Sequence, residues 1–522
     1  MLAGFAKKER ILIFGAGSGG SNFYKRNRGR YLVMGFVDNN PLRHREIIFG
    51  KPIHAPSELG GLTYDKIIIA SDYFREIHPQ LISLGIPERN IEIFNYQVQP
   101  VFNTRQRLLS TLWHHVHEYI CRRRGLSQDV VFWFAYKGWQ NAVQPIARRT
   151  LQWLDKTSEF HVHTFRNALA SSVQGPILID HRVDPTPVTL PAVELHRFSR
   201  GRIGTVSRSV ELPDGRLVIE RVTTATPANA DYSVAHVIHH GDNLALVRDG
   251  DTQQIDKGLL VNGCSETNYY HWVVEILSQL QFVAELPAQY DDYPILISQY
   301  CEKIPSIKAL FETFDIERPI VFLNTLIRYE VRDLLMITAP NNMIPNFKNS
   351  VSNTADSNFA RSESVKYLRE HGLSLIEADK AASSPKRVFL ARKGFLRRYN
   401  QDEVIAVLHE AGFMPVYMED LDFREQINII ANAEMIVGPT GAAWTNILFA
   451  APGAKALCWM AEEYGQLSCF SNLAGIVGVD MEFITFPSGA QDSRELYYKG
   501  YQLDIASIRT WLQQHRALEK RE

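Results

Sequence analysis

The sequence predicts an α/β protein. Strand and helix patterns alternate over residues 10–96, again over 294–340, and a third time over 386–485. Such alternation implies parallel sheets covered by helices on both faces. The third observation is size and composition. A chain of 522 residues, 45% apolar and 22% charged, has ordinary globular usage, room for large cores, and a length that suits three or four domains of roughly 150 residues.

The elements follow in order. Arg10–Phe14 is an apolar run that stops at Gly15, and a helix should start near Ser18. Tyr31–Val37 is a second strand, closed by the turn cluster Asp38-Asn39-Asn40-Pro41. Lys66–Ala70 is a third strand, Phe74–Leu84 a helix ending near Gly85, and Ile91–Phe94 a short fourth strand. Residues 97–125 read as a helical linker. Residues 126–200 form an α/β segment of uncertain arrangement, with strands at Val130–Phe134 and Pro176–Asp180 and a helix over Trp139–Leu154. Short strands dominate 200–260, with a hairpin at Pro213-Asp214-Gly215. A long helix is expected at about 268–286, and a loop followed by a helix over 346–384 should link two lobes, at 201–345 and 385–485. Residues 486–522 end in a helix over Asp504–His515, with Asp504 as N-cap.

Formal net charge is −1, which gives no hint of a nucleic-acid partner. The cluster Arg122-Arg123-Arg124 reads as a solvated helix end or a membrane-surface contact. Five scattered cysteines (Cys121, Cys264, Cys301, Cys458, Cys469) with no CxxC pair favour a reducing compartment. The N-terminus runs straight into a strand, and no apolar run is long enough to span a bilayer. The expectation is a cytoplasmic protein without a transmembrane segment, which would meet any membrane-borne acceptor from outside the bilayer.

Gly15-Ala16-Gly17-Ser18-Gly19-Gly20 fits G-x-G-x-x-G between a strand and a helix, and Asp38 closes the next strand. Gly15, Gly17 and Gly20 would bring backbone amides to a phosphate, and Asp38 would accept from a ribose hydroxyl. The alternative is a docking module with an empty loop. The segments ILIFGAGSGG, GFVDNNP and YDKIIIAS resemble the small Rossmann-like module that precedes various bacterial sugar-modifying enzymes. No lysine has a tyrosine four residues before it, so the Tyr-x-x-x-Lys pair of short-chain epimerases and dehydratases is missing.

Two later segments carry chemistry. In NYYHWVVEIL, Asn268, His271, Glu275 and Ser278 fall on one helical stripe. His271 with Glu275 one turn on is either a base with its orienting partner or a solvated face. The second segment places Arg392, Arg397, Arg398 and Asn400 after the strand Val388–Leu390. Asp422 and Glu425 form a capping box. Strand Glu434–Val437 then feeds Gly438-Pro439-Thr440-Gly441-Ala442-Ala443-Trp444-Thr445-Asn446, a glycine turn opening a helix and suited to an anion. Arginines beside such a turn could hold a diphosphate without a metal. Asp420-Leu421-Asp422 fits the D-x-D metal pattern by accident, because Asp422 is better explained as a cap.

These segments (NYYHWVVEILSQL, ARKGFLRRYNQDE, and PVYMEDLDFREQINIIANAEMIVGPTGAAWTNILFAAPG) resemble glycosyltransferase family 61 over roughly 200–485. The resemblance implies a two-lobed GT-B-type fold and a nucleotide-sugar donor, with UDP-sugars expected first. It further implies inversion at the anomeric carbon, no required metal or other cofactor, and a glycan or lipid-linked acceptor, as in bacterial capsule synthesis. Donor contacts would come from Arg392, Arg397, Arg398, Asn400, Gly438, Thr440, Gly441, Ala442, Thr445 and Asn446. His271 assisted by Glu275 would be the base, with Glu419 as the alternative. This chain departs at Thr440, where many members carry His in a G-x-H-G-A pattern. Two other readings stand beside it: a nucleotide-sugar-modifying enzyme acting through the N-terminal module, and a non-catalytic glycan- or nucleotide-binding scaffold.

Overall fold

The computed structural model describes residues 8–40, 43–71, 74–94, 146–179, 181, 183–221, 230–248, 252–325, 327–344, 353–376, 384–393, 397–490 and 500–519. The expected linker 97–125, the strand at 130–134, Cys121 and the Arg122–Arg124 cluster lie outside them. The chain divides into two compact units, 1–110 and 111–522.

The smaller unit is one six-stranded sheet in the order Ile47–Ile48, Lys51–His54, Leu32–Val37, Arg10–Phe14, Lys66–Ile69, Ile91–Ile93. Every neighbouring pair is parallel except the short hairpin at 47–52. Helices Ser18–Asn27 and Phe74–Ser83 complete it. Ile11 to Phe14 and Ile67 to Ile69 are buried along their whole length, as strands covered on both faces must be. The hairpin was not legible in the sequence. Its Ile47 is 72% exposed, so it lacks the apolar alternation that marks a strand.

The larger unit contains two main sheets. The first has eleven mixed strands and begins with Ile146–Trp153. A helix was expected over 139–154, and its described part is a strand instead. Ala147, Arg149 and Leu151 turn inward while Arg148 and Thr150 face solvent, a period of two that pairs with Arg216–Ile219 and Leu244–Arg248. The hairpin at 213–215 joins Ser209–Glu211 to Arg216–Ile219. Thr252–Leu260, Arg328–Ile337, Ile295–Ser298 and Ile320–Leu323 form a parallel block within this sheet.

The second main sheet is wholly parallel, in the order Ile177–Leu178, Asp480–Phe486, Lys455–Ala461, Met435–Pro439, Arg387–Leu390, Met414–Val416. From Arg387–Leu390 the chain goes outward to Met414–Val416, then crosses back to Met435–Pro439 and continues the other way. The direction of winding reverses between Arg387–Leu390 and Met435–Pro439. In parallel sheets a crevice opens at that point, beyond the carboxyl ends of the strands.

One hydrophobic core joins the two sheets. It contains Val193, Leu195 and Leu259 of the first, Trp272, Ile276 and Leu277 between them, and Val388, Ile436 and Phe483 of the second. The helix expected at about 268–286 is present but irregular. His271–Ile276 winds as a π turn, Leu277–Gln279 as a 3₁₀ turn, and Leu280–Val283 as an α turn. All residues from His271 to Gln279 are buried, so the polar stripe is not a solvated face. The 3.6-residue wheel misled because apolar side chains surround it in HWVVEIL and both sheets pack on it. No described helix is long and apolar enough to cross a membrane.

Candidate active site

His271 and Glu275 meet inside the larger unit. Nδ1 of His271 lies 2.8 Å from Oε2 of Glu275, and the two side chains are 5% and 4% exposed. The other carboxylate oxygen accepts from the backbone N–H of Met343 at 2.7 Å. The amide of Asn341 donates to the Val274 carbonyl at 2.9 Å. Strand Arg328–Ile337 leads into Asn341 and Met343, and its neighbour Thr252–Leu260 leads into the His271 segment. The pair is thus held between loops leaving the same edge of the parallel block. A carboxylate on Nδ1 holds the proton there and leaves Nε2 as the basic nitrogen. No hydrogen bond to Nε2 occurs among the described residues.

The arginine loop follows Leu390, and Thr440 follows Pro439, so the two flank the reversal point of the second sheet. Both Arg392 and Arg397 donate to the Thr440 carbonyl, Arg397 at 3.4 Å. Among the described residues no carboxylate lies within ion-pair reach of Arg392. Burial and the neighbouring Arg397 charge pull Arg392 down to about 10, which leaves it cationic at neutral pH. Gly441 packs directly on these groups: a Cβ there would lie 2.8 Å from Nη2 of Arg392 and 3.8 Å from Nη2 of Arg397. Any side chain would displace a guanidinium. Arg392, Arg397 and Thr440 line one recess with Tyr464, Phe486, Ser488 and Tyr501.

Other expected donor residues are placed differently. Gly438 lies within the strand, where a Cβ would meet Leu390 at 2.7 Å, so it serves strand packing. Ala442 opens a 3₁₀ helix, Ala442–Phe449. Thr445 and Asn446 are wholly buried in that helix. Asn446 accepts from the Tyr269 hydroxyl at 2.9 Å and donates to Gln426 at 3.0 Å, tying the His271 segment to the second sheet. Arg398 is exposed. Asn400 turns away toward Leu503, donating to its carbonyl at 3.1 Å and accepting from its N–H at 2.9 Å. Glu419 is exposed and accepts from the Lys393 backbone at 2.8 Å. Asp422 caps Phe423–Asn432 in the expected capping box, accepting from the Glu425 N–H at 2.9 Å, while Asp420 pairs with Lys393. Among the described residues no three potential metal-ligating side chains converge.

In the smaller unit, a Cβ on Gly20 would lie 1.8 Å from the Gly15 carbonyl oxygen, whereas one on Gly17 would meet nothing within 4 Å. The outer oxygens of Asp38 accept from the N–H groups of Ala16 at 2.8 Å and Asn40 at 2.9 Å.

Sequence reasoning missed Glu266. It is 2% exposed, and neither carboxylate oxygen makes a hydrogen bond among the described residues. Burial pushes its pKa up to about 8, and the adjacent Ser298 and Thr205 hydroxyls offset only part of this. The residue follows strand Thr252–Leu260, five positions before His271. An acid between Ser and Thr looks like a solvated loop residue, so no local signal marked it. Tyr501 was missed for a related reason: it lies in irregular chain before the last helix.

Residues 269–457 match the family model described as glycosyltransferase 61. That segment contains His271, Glu275 and the arginine recess up to Thr440, and the family implies glycosyltransferase activity. The match is narrower at both ends than the stretch 200–485 read from the motifs. Residues 7–92 match a second family, described as C2185-like, N-terminal; that description names neither a Rossmann fold nor a nucleotide. No curated protein matches the chain. Among solved structures, UDP-D-quinovosamine 4-dehydrogenase from Vibrio fischeri aligns at 21% identity and TM-score 0.15, covering 17% of this chain and 76% of that one. RSP, a Rex-family repressor, aligns at 16% identity and TM-score 0.16, covering 22% and 63%. Its complex with beta-NADH gives 15% identity, TM-score 0.15 and the same coverage, 22% and 63%.

Proposed function

We propose that this chain transfers a sugar from a nucleotide-sugar, with UDP-sugars first in line, to a hydroxyl of a glycan or lipid-linked acceptor. The observation that carries the reading is the pair Arg392 and Arg397 at the reversal point of a parallel sheet, with no carboxylate in ion-pair reach of Arg392 among the described residues. Donor diphosphate would replace the missing counter-charge, and charge-assisted contacts of this kind are the strong ones. The family match supports the reaction class. The two sheets then serve as the lobes of a GT-B-type enzyme, with acceptor near His271.

In this reading the acceptor hydroxyl attacks the anomeric carbon. A new C–O bond forms as the bond to the diphosphate oxygen breaks, with inversion. Nε2 of His271 takes the hydroxyl proton, and Glu275 orients the ring and stabilises the imidazolium. The nucleoside diphosphate leaves with its charge on Arg392 and Arg397, and no metal is needed. A cytoplasmic role in surface-polysaccharide synthesis suits such an enzyme. A docking role suits the smaller unit better than nucleotide binding, because Asp38 already accepts from two backbone amides.

Titration with UDP tests the donor reading. Arg392→Ala should weaken binding by about 1.5–3 kcal/mol, and wild-type binding should persist in EDTA. Unchanged UDP affinity in folded Arg392→Ala would remove the recess from donor binding.

A further inference from the structure

One wall of the arginine recess comes from chain far beyond the family match. Residues 500–503 run alongside 398–400. The Tyr501 N–H donates to the Arg398 carbonyl at 2.9 Å. Asn400 closes a two-bond exchange with the Leu503 backbone, at 2.9 and 3.1 Å. The Tyr501 ring is stacked between Tyr399, at 5.2 Å and 4°, and Phe486, at 3.8 Å and 10°. It also lines the recess with Arg392 and Arg397.

The segment held this way carries an unfavourable backbone. Arg397 has φ 53°, a left-handed conformation that costs any residue with a Cβ. Such conformations persist only where the surroundings over-determine them, and they gather at ligand clamps. Arg397 needs that geometry to aim back at the Thr440 carbonyl, beside Arg392. The two guanidiniums repel each other, and Arg392 is lowered in part by that charge.

We propose that residues 500–503 form a positioning strap for the donor arginines, with Tyr501 and Asn400 as its two fastenings. This rests on the donor reading above. The strap holds two like charges together before ligand arrives, so the anion meets a preorganised pair instead of paying to assemble it. Asn400 thereby acts through Arg397 and not by touching donor. Its Nδ2 also donates to Glu403 at 2.8 Å, which fixes the amide orientation.

The test is calorimetric titration of the full chain with UDP, and separately with inorganic pyrophosphate, which lacks base and ribose. Wild type, Arg392→Ala, Tyr501→Phe, Tyr501→Ala and Asn400→Ala are compared, with melting temperatures recorded on the same samples. Tyr501→Phe keeps the stack and should restore most of the affinity that Tyr501→Ala loses; a Phe variant as weak as the Ala variant overturns the ring stack as a fastening. Tyr501→Ala and Asn400→Ala should each lose roughly tenfold or more in affinity for both ligands, the scale of a weakened charged hydrogen bond, without a matching fall in folded protein. Wild-type affinity in the folded Ala variants, beside lost binding in Arg392→Ala, overturns the strap and leaves the donor recess standing. Affinity that falls only in step with unfolding also overturns it. Wild-type affinity in Arg392→Ala overturns the donor reading and the strap with it. Should Tyr501→Ala fail to fold, Asn400→Ala carries the same test alone.

Discussion

Replacing Glu266 by Gln should change how stability depends on pH, and by a calculable amount. The carboxyl is raised from 4.5 to about 8 in the folded protein. In the unfolded chain it ionises near its ordinary value. Between those two values the folded protein holds a proton that the unfolded chain has lost, so rising pH favours unfolding across that window. The contribution is fully present below about pH 4.5, falls as pH rises, and is exhausted above about 8. Each unit is worth about 1.36 kcal/mol, so between pH 5.5 and 8 wild type should lose on the order of 3 kcal/mol through this residue. The amide introduced by Glu266→Gln cannot ionise, so the variant lacks that loss. Burying that amide has its own cost, but equally at every pH, and the slope is therefore the diagnostic. All eight tryptophans lie beyond residue 110, so urea titrations followed by tryptophan fluorescence report on the larger unit alone. The stability difference, variant minus wild type, should climb steadily from pH 5.5 to 8 and then level off. A difference that stays flat over this range would refute the argument that burial keeps Glu266 protonated.

Three further outcomes follow from the site. His271→Ala should keep UDP affinity but lower turnover by about 10²–10⁴-fold, with a smaller loss in Glu275→Gln; near-normal turnover in folded His271→Ala would move the base elsewhere. Gly441→Ala pushes a methyl against the Arg392 guanidinium and should weaken pyrophosphate binding while leaving the melting temperature nearly unchanged; wild-type affinity would show that the guanidinium relocates without loss. Asn446→Ala strips partners from the half-buried Tyr269 hydroxyl and the buried Gln426 amide and should cost about 1–3 kcal/mol in urea unfolding, which a change within experimental error would contradict.

Much of this was legible because particular residues obey strong local rules. Asp422 and Glu425 announce a helix start, and that capping box is present. Apolar runs bounded by glycine marked the parallel strands of the smaller unit and of the second sheet. The His271–Glu275 contact could be read from spacing alone, even though the turn between them is π and not α. Failures came where tertiary context overrides local pattern. Ile146–Trp153 alternates with arginines and threonine, and only pairing with two distant strands fixes it as a strand. Asn400, Thr445 and Asn446 are the right residue types beside the right loop, yet spacing cannot say which way a side chain turns. Tyr501 and Glu266 acquire meaning only from what lies against them in space.

The short strand Ile177–Leu178 has a consequence of its own. It leaves the first sheet's stretch of sequence to join the edge of the second, where Ile177 pairs with Glu482. Gln174 just before it bonds both Asn472, through its N–H at 3.3 Å, and Ser471, through its carbonyl at 2.7 Å. The second sheet is therefore not a cassette that one cut near residue 380 would release, because part of its rim is encoded two hundred positions earlier. A fragment beginning at residue 201 would forfeit that rim and expose the parallel edge of Asp480–Phe486, an open template for pairing with other chains. Exchanging the second sheet between relatives would require grafting two separated stretches of sequence at once.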